Sequence, residues 1–174
     1  SAIEANPGAH VFCVECGDHY AKGWLQINSS GTMARRWLRY TCGGDDGAHP
    51  VDQAPDRRAR LMAIVFQQAS YWVVQGLTFD AGGDNINSAI TLGGGWGGPE
   101  GGGSGHNVFD SLLFQDAEAH FFQVRSGNPD NTLQNSVIRD PVIGTSFEAQ
   151  CVEVGWGPRF HVVNNEIYNC QKGV

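Results

Sequence analysis

At 174 residues the chain is one domain's worth of sequence, and its formal charge of −7 with a pI near 5.2 argues against nucleic acid, where a basic face supplies most of the affinity. No run approaches the roughly 18 apolar residues needed to span a bilayer, and Ser1-Ala2-Ile3-Glu4 has neither the basic nor the apolar region of a signal peptide. Glycine, at 24 residues, is about twice its usual frequency of roughly 7%, which suits a chain that turns every few residues.

Residues 1 to 60 read as irregular N-terminal coils. Asn6-Pro7-Gly8 is a turn, His10–Val14 a strand, Glu15-Cys16-Gly17-Asp18 a second turn and Trp24–Ile27 another strand. Ser29-Ser30-Gly31-Thr32 turns again before a strand at Arg36–Tyr40, and residues 43–60 form a polar, exposed excursion. Cys13-x-x-Cys16 resembles half a zinc site, but no second pair at ligand spacing completes it. The five cysteines are therefore read mainly as small buried hydrophobes, with room for at most one or two disulfides.

From residue 61 the pattern is regular. Short strands starting at Ile64, Ile90, Phe122 and Val152 alternate apolar with other residues, at intervals of 26, 32 and 30 residues. Each is followed by a second extended segment: Tyr71–Phe79, Asn107–Phe114, Asn131–Ile138 and His161–Tyr168. The runs are too short for helices and rich in Val, Ile, Phe and Thr. A period of this size with turns between strands is the signature of a solenoid. The fold class is therefore all-β, a parallel β-helix of stacked coils over residues 1–174. The pattern is already running at Ser1 and stops at Val174 just after a strand, so a fragment of a longer solenoid is expected. End-to-end association is expected if the ends are uncapped.

Strand parity assigns faces. Gln123, Arg125 and Glu153 cannot sit in a dry core, so they and their register partners Val65, Gln67, Thr91, Gly93 and Gly155 face outward. Ile64, Phe66, Ile90, Leu92, Phe122, Val124, Val152 and Val154 stack inward. On the second segment Val74, Phe109, Leu133 and Val163 form one inward stack. Gly76, Ser111, Asn135 and Asn165 fall at one sharp bend, where Gly and Asn tolerate left-handed backbone, and Asn135 over Asn165 forms an amide ladder. A glycine-rich insertion, residues 93–105, holds only Trp96 that could bury surface.

These columns place chemistry on one outward face. Gln67, Gly93, Arg125 and Gly155 form one line; Val65, Thr91, Gln123 and Glu153 form the next. Glycines above and below Arg125 leave space around its guanidinium, while Trp96 and Trp156 stand at the walls as sugar-stacking platforms. Gln67, Gln123, Trp96 and Trp156 are thus the candidate substrate-binding residues. The oxygen-rich turns holding Asp80 and Asp84, then Asp116 and Glu118 one coil later, are candidate ligands for a hard cation such as Ca2+.

The chain resembles right-handed parallel β-helix proteins of the pectate-lyase-like and chondroitinase-B-like group. The resemblance is carried by Pro7-Gly8, Gly17-Asp18-His19-Tyr20, Leu25-x-Ile27, Ser30-Gly31-Thr32 and Gly76-Leu77-Thr78-Phe79. Ala9 departs from it, standing where that motif has Asp. The resemblance implies a right-handed coil, secretion or cell-surface display, a polysaccharide ligand and, for many such lyases, calcium. Val124-Arg125-Ser126 before Asn131-Thr132-Leu133 and Asn135 is similar to the stretch carrying a catalytic Lys-Ser pair, with Arg125 in the lysine position. A guanidinium stays protonated, so Arg125 is expected to neutralise a uronate carboxylate and acidify the adjacent C–H. His120, His161 or another group would be the base.

The leading expectation is a polysaccharide lyase acting on a uronate glycan by β-elimination, with Arg125, His120, His161 and Glu153 as catalytic candidates. A glycoside hydrolase pairing Glu153 with Glu148 or Glu118 is one alternative. A non-catalytic glycan-binding or structural surface solenoid is another.

Overall fold

The computed structural model describes residues 2–15, 17–19, 25–28, 30–31, 35–40, 59–61, 63–80, 88–93, 103–116, 120–124, 127–140, 150–155 and 159–170. After a short helix α1 (Ala2–Ala5), the chain winds through six coils of strands. The first holds β1 (Val11–Val14), β2 (Gly17–His19) and β3 (Leu25–Ile27), and the second β4 (Arg36–Tyr40), β5 (Ala59–Leu61) and β6 (Ile64–Phe66). The third holds β7 (Trp72–Gln75), β8 (Thr78–Asp80) and β9 (Ser88–Leu92). The fourth holds β10 (Val108–Asp110), β11 (Leu113–Gln115) and β12 (His120–Val124). The fifth holds β13 (Thr132–Gln134), β14 (Val137–Arg139) and β15 (Val152–Val154), and the sixth β16 (His161–Val163) and β17 (Glu166–Tyr168).

Every third strand pairs in parallel, giving three sheets: A (β1-β4-β7-β10-β13-β16), B (β2-β5-β8-β11-β14-β17) and C (β3-β6-β9-β12-β15). The fold is a parallel β-helix. Strands of the first 60 residues take part in all three sheets.

The repeat holds three strands rather than the two expected. Each long second segment divides into a sheet A strand and a sheet B strand at a residue with left-handed backbone: Gly76 (φ 68°), Ser111 (53°), Asn135 (51°) and Asn164 (52°). Asn164, not Asn165, closes this column. The last coil runs one residue ahead of the expected alignment, because eight residues separate Val154 from Val162 where nine separate Val124 from Leu133. Val162 therefore pairs with Leu133, and Val163 with Gln134 on the outer face. The amide ladder is correspondingly Asn164 Nδ2 donating to Asn135 Oδ1 at 2.8 Å.

The inward columns behave as parity requires. Ile64, Phe66, Ile90, Leu92 and Phe122 are fully buried, whereas Val154 in the fifth coil is 39% exposed. Phenylalanines of sheets A and C interlock edge to face, Phe66 on Phe109 at 5.4 Å and Phe109 on Phe122 at 4.8 Å, while Phe79 stacks flat on Phe114 of the next coil at 5.1 Å. Strict alternation fails where β9 and β12 begin. Ala89 and Ile90 are both buried, as are Phe121 and Phe122.

The interior is not wholly apolar at the corner leading from sheet C into sheet A. Asn107, Asn128, Asn131 and Ser104 have no exposure, and each satisfies backbone of a neighbouring coil. Asn107 Oδ1 accepts from Trp72 N (2.9 Å), and Asn131 Oδ1 from Asn107 N (3.0 Å). Asn128 Oδ1 accepts from Ser104 N (2.9 Å), while the Ser104 hydroxyl donates to Phe66 O (3.1 Å). Ser104 lies in the glycine-rich insertion, so the end of that insertion is core and not merely surface. Gly105 is required beside it, because a Cβ there would meet Pro129 O at 2.7 Å.

The first coil is covered by the N-terminal segment, with Ile3 buried in the core cluster. Arg36, only 4% exposed, lies between the rings of Phe12 and Trp72 at 4.9 and 4.6 Å and donates from Nε to Ala9 O at 3.2 Å. Burial lowers its pKa from the ordinary guanidinium value, and the two ring faces and the carbonyl offset that loss of water. At the other end, Cys151 and Cys170 form a disulfide with Cα atoms 5.9 Å apart, and Cys13 is free and exposed. Cys16 and Cys42 lie outside the described residues.

Candidate functional site

The expected outward column on sheet C is present. Gln26, Val65, Thr91, Gln123 and Glu153 pair in unbroken register through five strands. Beside it, Gln67 N donates to Ile27 O, Gly93 N to Phe66 O and Gly155 N to Val124 O, each at 2.9 Å. These three residues therefore follow the ends of adjacent strands in one line. Parallel pairing about 4.8 Å apart brings these side chains within reach of one another. Gln26 Nε2 donates to Gln67 Oε1 at 2.5 Å, and Gln123 Nε2 donates to Glu153 Oε2.

Gln123 departs from the expectation of an open, groove-lining amide. It is 4% exposed, and its Oε1 accepts from the Ser88 hydroxyl at 3.2 Å. Among the described residues of this face, Gln26 and Gln67 are exposed, and Thr91 and Glu153 are half-buried. Arg125, Trp96 and Trp156 lie outside the described residues. His120 belongs to β12, with its backbone paired to Ser88.

The remaining expected residues sit on other faces. His161 is exposed on sheet A, paired with Thr132, because its strand follows the corner that ends sheet C. It does not share the face of Gln67 and Glu153. Asp80 and Asp116 belong to the sheet B side. Asp80 is 7% exposed, and its Oδ2 accepts from Gln115 Nε2 at 3.0 Å. Asp116 occupies a left-handed corner (φ 55°). Its carboxyl is held above the usual range by burial, then by the charges of Asp80 and Asp140, against the opposing pull of Arg139. Asp84 and Glu118 lie outside the described residues, and among the described residues no three His, Cys, Asp or Glu side chains gather closely enough to hold a metal ion.

Sheet A carries polar chemistry that sequence reasoning missed. Asp110 on its outer face accepts from Gln75 Nε2 (3.0 Å), Gln134 Nε2 (3.2 Å) and Asn135 Nδ2 (2.8 Å), tying three coils together. Along the preceding corner Tyr71 and His106 stack in parallel at 4.9 Å, and Arg159 binds both oxygens of Asp130 at 2.5 and 2.7 Å. That pair holds the Asp130 carboxyl below its ordinary range. Vertical register was the available signal, since these residues recur at one place in each coil, but it emerges only once the third strand is recognised.

No family model, curated protein or solved structure matches the chain. The fold therefore stands on its own topology, and any activity must be argued from these faces.

Proposed function

We propose that the protein is a carbohydrate-active β-helix that receives a uronate-containing glycan along the outer face of sheet C and cleaves it by β-elimination. The supporting observation is the register of that face: Gln26, Val65, Thr91, Gln123 and Glu153 stack in one straight column beside a second line containing Gln67, Gly93 and Gly155. A straight face of strands about 4.8 Å apart, with the accessible polar groups of Gln26, Gln67, Thr91 and Glu153 spread along it, suits a linear polymer of hydroxyls better than a compact metabolite. In the reaction, Arg125 would offset the uronate carboxylate. A base would take the C5 proton as the C4–O bond breaks, and the leaving sugar would gain a proton. Of the candidate bases, Glu153 lies on this face and His161 does not.

The test is a panel of uronate polymers with and without calcium, read at the near-ultraviolet absorbance of the unsaturated product. Arg125→Ala is expected to abolish that signal, and Glu153→Gln to lower it. Undiminished turnover in Arg125→Ala would remove the assignment.

One observation favours a second reading, a glycan-binding surface solenoid without turnover. Glu153 is already engaged by the Gln123 amide, which restrains it from acting as a base. Retention on immobilised uronate glycan with no unsaturated product from any polymer would establish this reading in place of the lyase. The hydrolase alternative pairs Glu153 with Glu148 or Glu118, both outside the described residues, and no geometry supports it.

A further inference from the structure

The corner that leads into sheet A is built unlike the other corners. Where sheet A passes into sheet B, the left-handed positions are Gly76, Ser111, Asn135 and Asn164; on leaving sheet B they are Asp116, Asp140 and Asn169. These are small residues or ones whose side chains tolerate that backbone. The corner into sheet A instead stacks Arg35, Tyr71, His106, Asp130 and Arg159, with φ between 56° and 62°. His106 and Asp130 are types that tolerate this backbone, but Arg35, Tyr71 and Arg159 accept steric strain there while holding large, chemically capable side chains. Strain retained in this way is a pointer to function.

Contacts within the ridge leave much of its chemistry unused. Tyr71 stacks on His106, His106 Nδ1 lies 3.7 Å from Asp130, and Arg159 engages Asp130. Among the described residues the Tyr71 hydroxyl has no hydrogen bond, and Arg35 Nη1 is buried without one. Arg159 uses Nε and one terminal nitrogen on Asp130, leaving the other terminal nitrogen for a ligand. The sheet beside the ridge is open, with Val108, Asp110, Thr132 and Gln134 half-exposed and His161 exposed.

The sign of the charge identifies the ligand class. Among the described residues of this ridge and face, the guanidiniums of Arg35, Arg39 and Arg159 stand against the carboxylates of Asp110 and Asp130, an excess of one positive charge before His106 and His161 are counted. The chain as a whole carries −7.

We propose that the ridge from Arg35 to Arg159, with the adjoining outer face of sheet A, is a second glycan-binding face that takes an acidic oligosaccharide along the solenoid axis. Five ridge positions span about 19 Å at the coil spacing, enough for several sugar units. The inference extends the carbohydrate reading given above from sheet C to a face that reading does not use.

The test is calorimetric titration of the full chain with a size-defined oligogalacturonate, and with a neutral malto-oligosaccharide of equal length as control. The variants are Tyr71→Asn/Arg159→Asn on the ridge, Arg35→Asn alone, and Gln26→Ala/Gln67→Ala on sheet C. Asparagine suits the left-handed backbone, so the ridge variants are expected to melt at or near the parent temperature while binding the acidic ligand about tenfold or more weakly, the loss of one charge-assisted contact. If the double variant unfolds early, Arg35→Asn, which removes an unpaired donor, carries the same test. Unchanged affinity in the ridge variants, with loss only in the sheet C variant, would overturn the inference and leave the sheet C reading standing. Equal affinity for the neutral control would overturn the charge argument. A parent that binds neither oligosaccharide would remove both proposals.

Discussion

Asn131 shows how a polar side chain becomes a structural necessity inside a coil. Its Oδ1 accepts from Asn107 N, and its Nδ2 donates to the carbonyls of Ser104 and Asn128, both at 2.9 Å. Backbone at this corner turns too sharply to pair wholly within the sheets, and a buried unpaired donor or acceptor costs about 1–3 kcal/mol. Asn131→Ala is expected to destabilise by about 3 kcal/mol, read as a lower urea midpoint at unchanged slope; a loss below about 0.5 kcal/mol would show that water replaces the amide. Asp116 is the opposite case, a residue whose charge works against the fold. Its folded pKa is raised, so the native state binds that proton more tightly than the unfolded chain. Its contribution to stability therefore grows as pH falls through the folded pKa, and levels off below the unfolded value of about 3.9. Asp116→Asn keeps a residue suited to φ 55°, as Asn169 does in the same column at 57°, and relieves the repulsion from Asp80 and Asp140. It is expected to raise neutral-pH stability by roughly 0.5–1 kcal/mol and to remove that part of the gain on acidification. A melting temperature that falls at pH 7 would contradict the account.

Strands were legible to different degrees for physical reasons. Sheet C alternates over residues such as Ile64-Val65-Phe66, so its register and inward columns could be read directly. From the third coil on, the sheet A and B strands are three or four residues long and joined across one left-handed residue, so each pair reads as a single run. The slip at Val162 arose because one turn is a residue shorter, and nothing in local composition marks it. Nothing local marks Asn107 and Asn131 as core, and the glycine-rich stretch holding Ser104 reads as surface, since amides and hydroxyls prefer water. Only the stacking of coils supplies the carbonyls that let them enter. Gln123 was correctly set on the outer face, but its burial depends on neighbours in other coils. The aromatic interlock gives a prediction at this scale. Phe109 is fully buried between Phe66 and Phe122, and Phe109→Ala is expected to cost about 3–5 kcal/mol, measured by chemical denaturation. A cost near 1 kcal/mol would mean that the facing rings collapse into the space.

A solenoid is nearly one-dimensional, so stability is a sum of coils and the interfaces between them, and the two ends of the described structure differ. The first coil is fastened by Ile3 in the core and by Arg36 between two rings. The sixth coil shows Val162 at 37%, Val163 at 51% and Tyr168 at 39% exposure. It is held below by parallel pairing of β16 to β13 and β17 to β14, by the Arg159–Asp130 pair, and by Cys170 bonded back to Cys151. The ion pair is on the surface and contributes little, so the disulfide is the strong tether. It closes a segment separated by 19 residues, a loop of the size for which cross-linking contributes about 3 kcal/mol. Opening of the sixth coil alone leaves the aromatic interlock of Phe66, Phe109 and Phe122 intact, so that opening lies well below global unfolding in free energy. Native-state hydrogen exchange is therefore expected to show a gradient, with amides of β9, β10 and β12 slowest and those of β16 and β17 fastest. Replacing both cysteines, Cys151→Ala with Cys170→Ala, is expected to speed exchange in β16 and β17 by about tenfold or more while leaving β9 and β10 nearly unchanged. Equal acceleration in every coil would show that the helix unfolds as one cooperative block, and that the disulfide restrains the whole chain instead of its last turn.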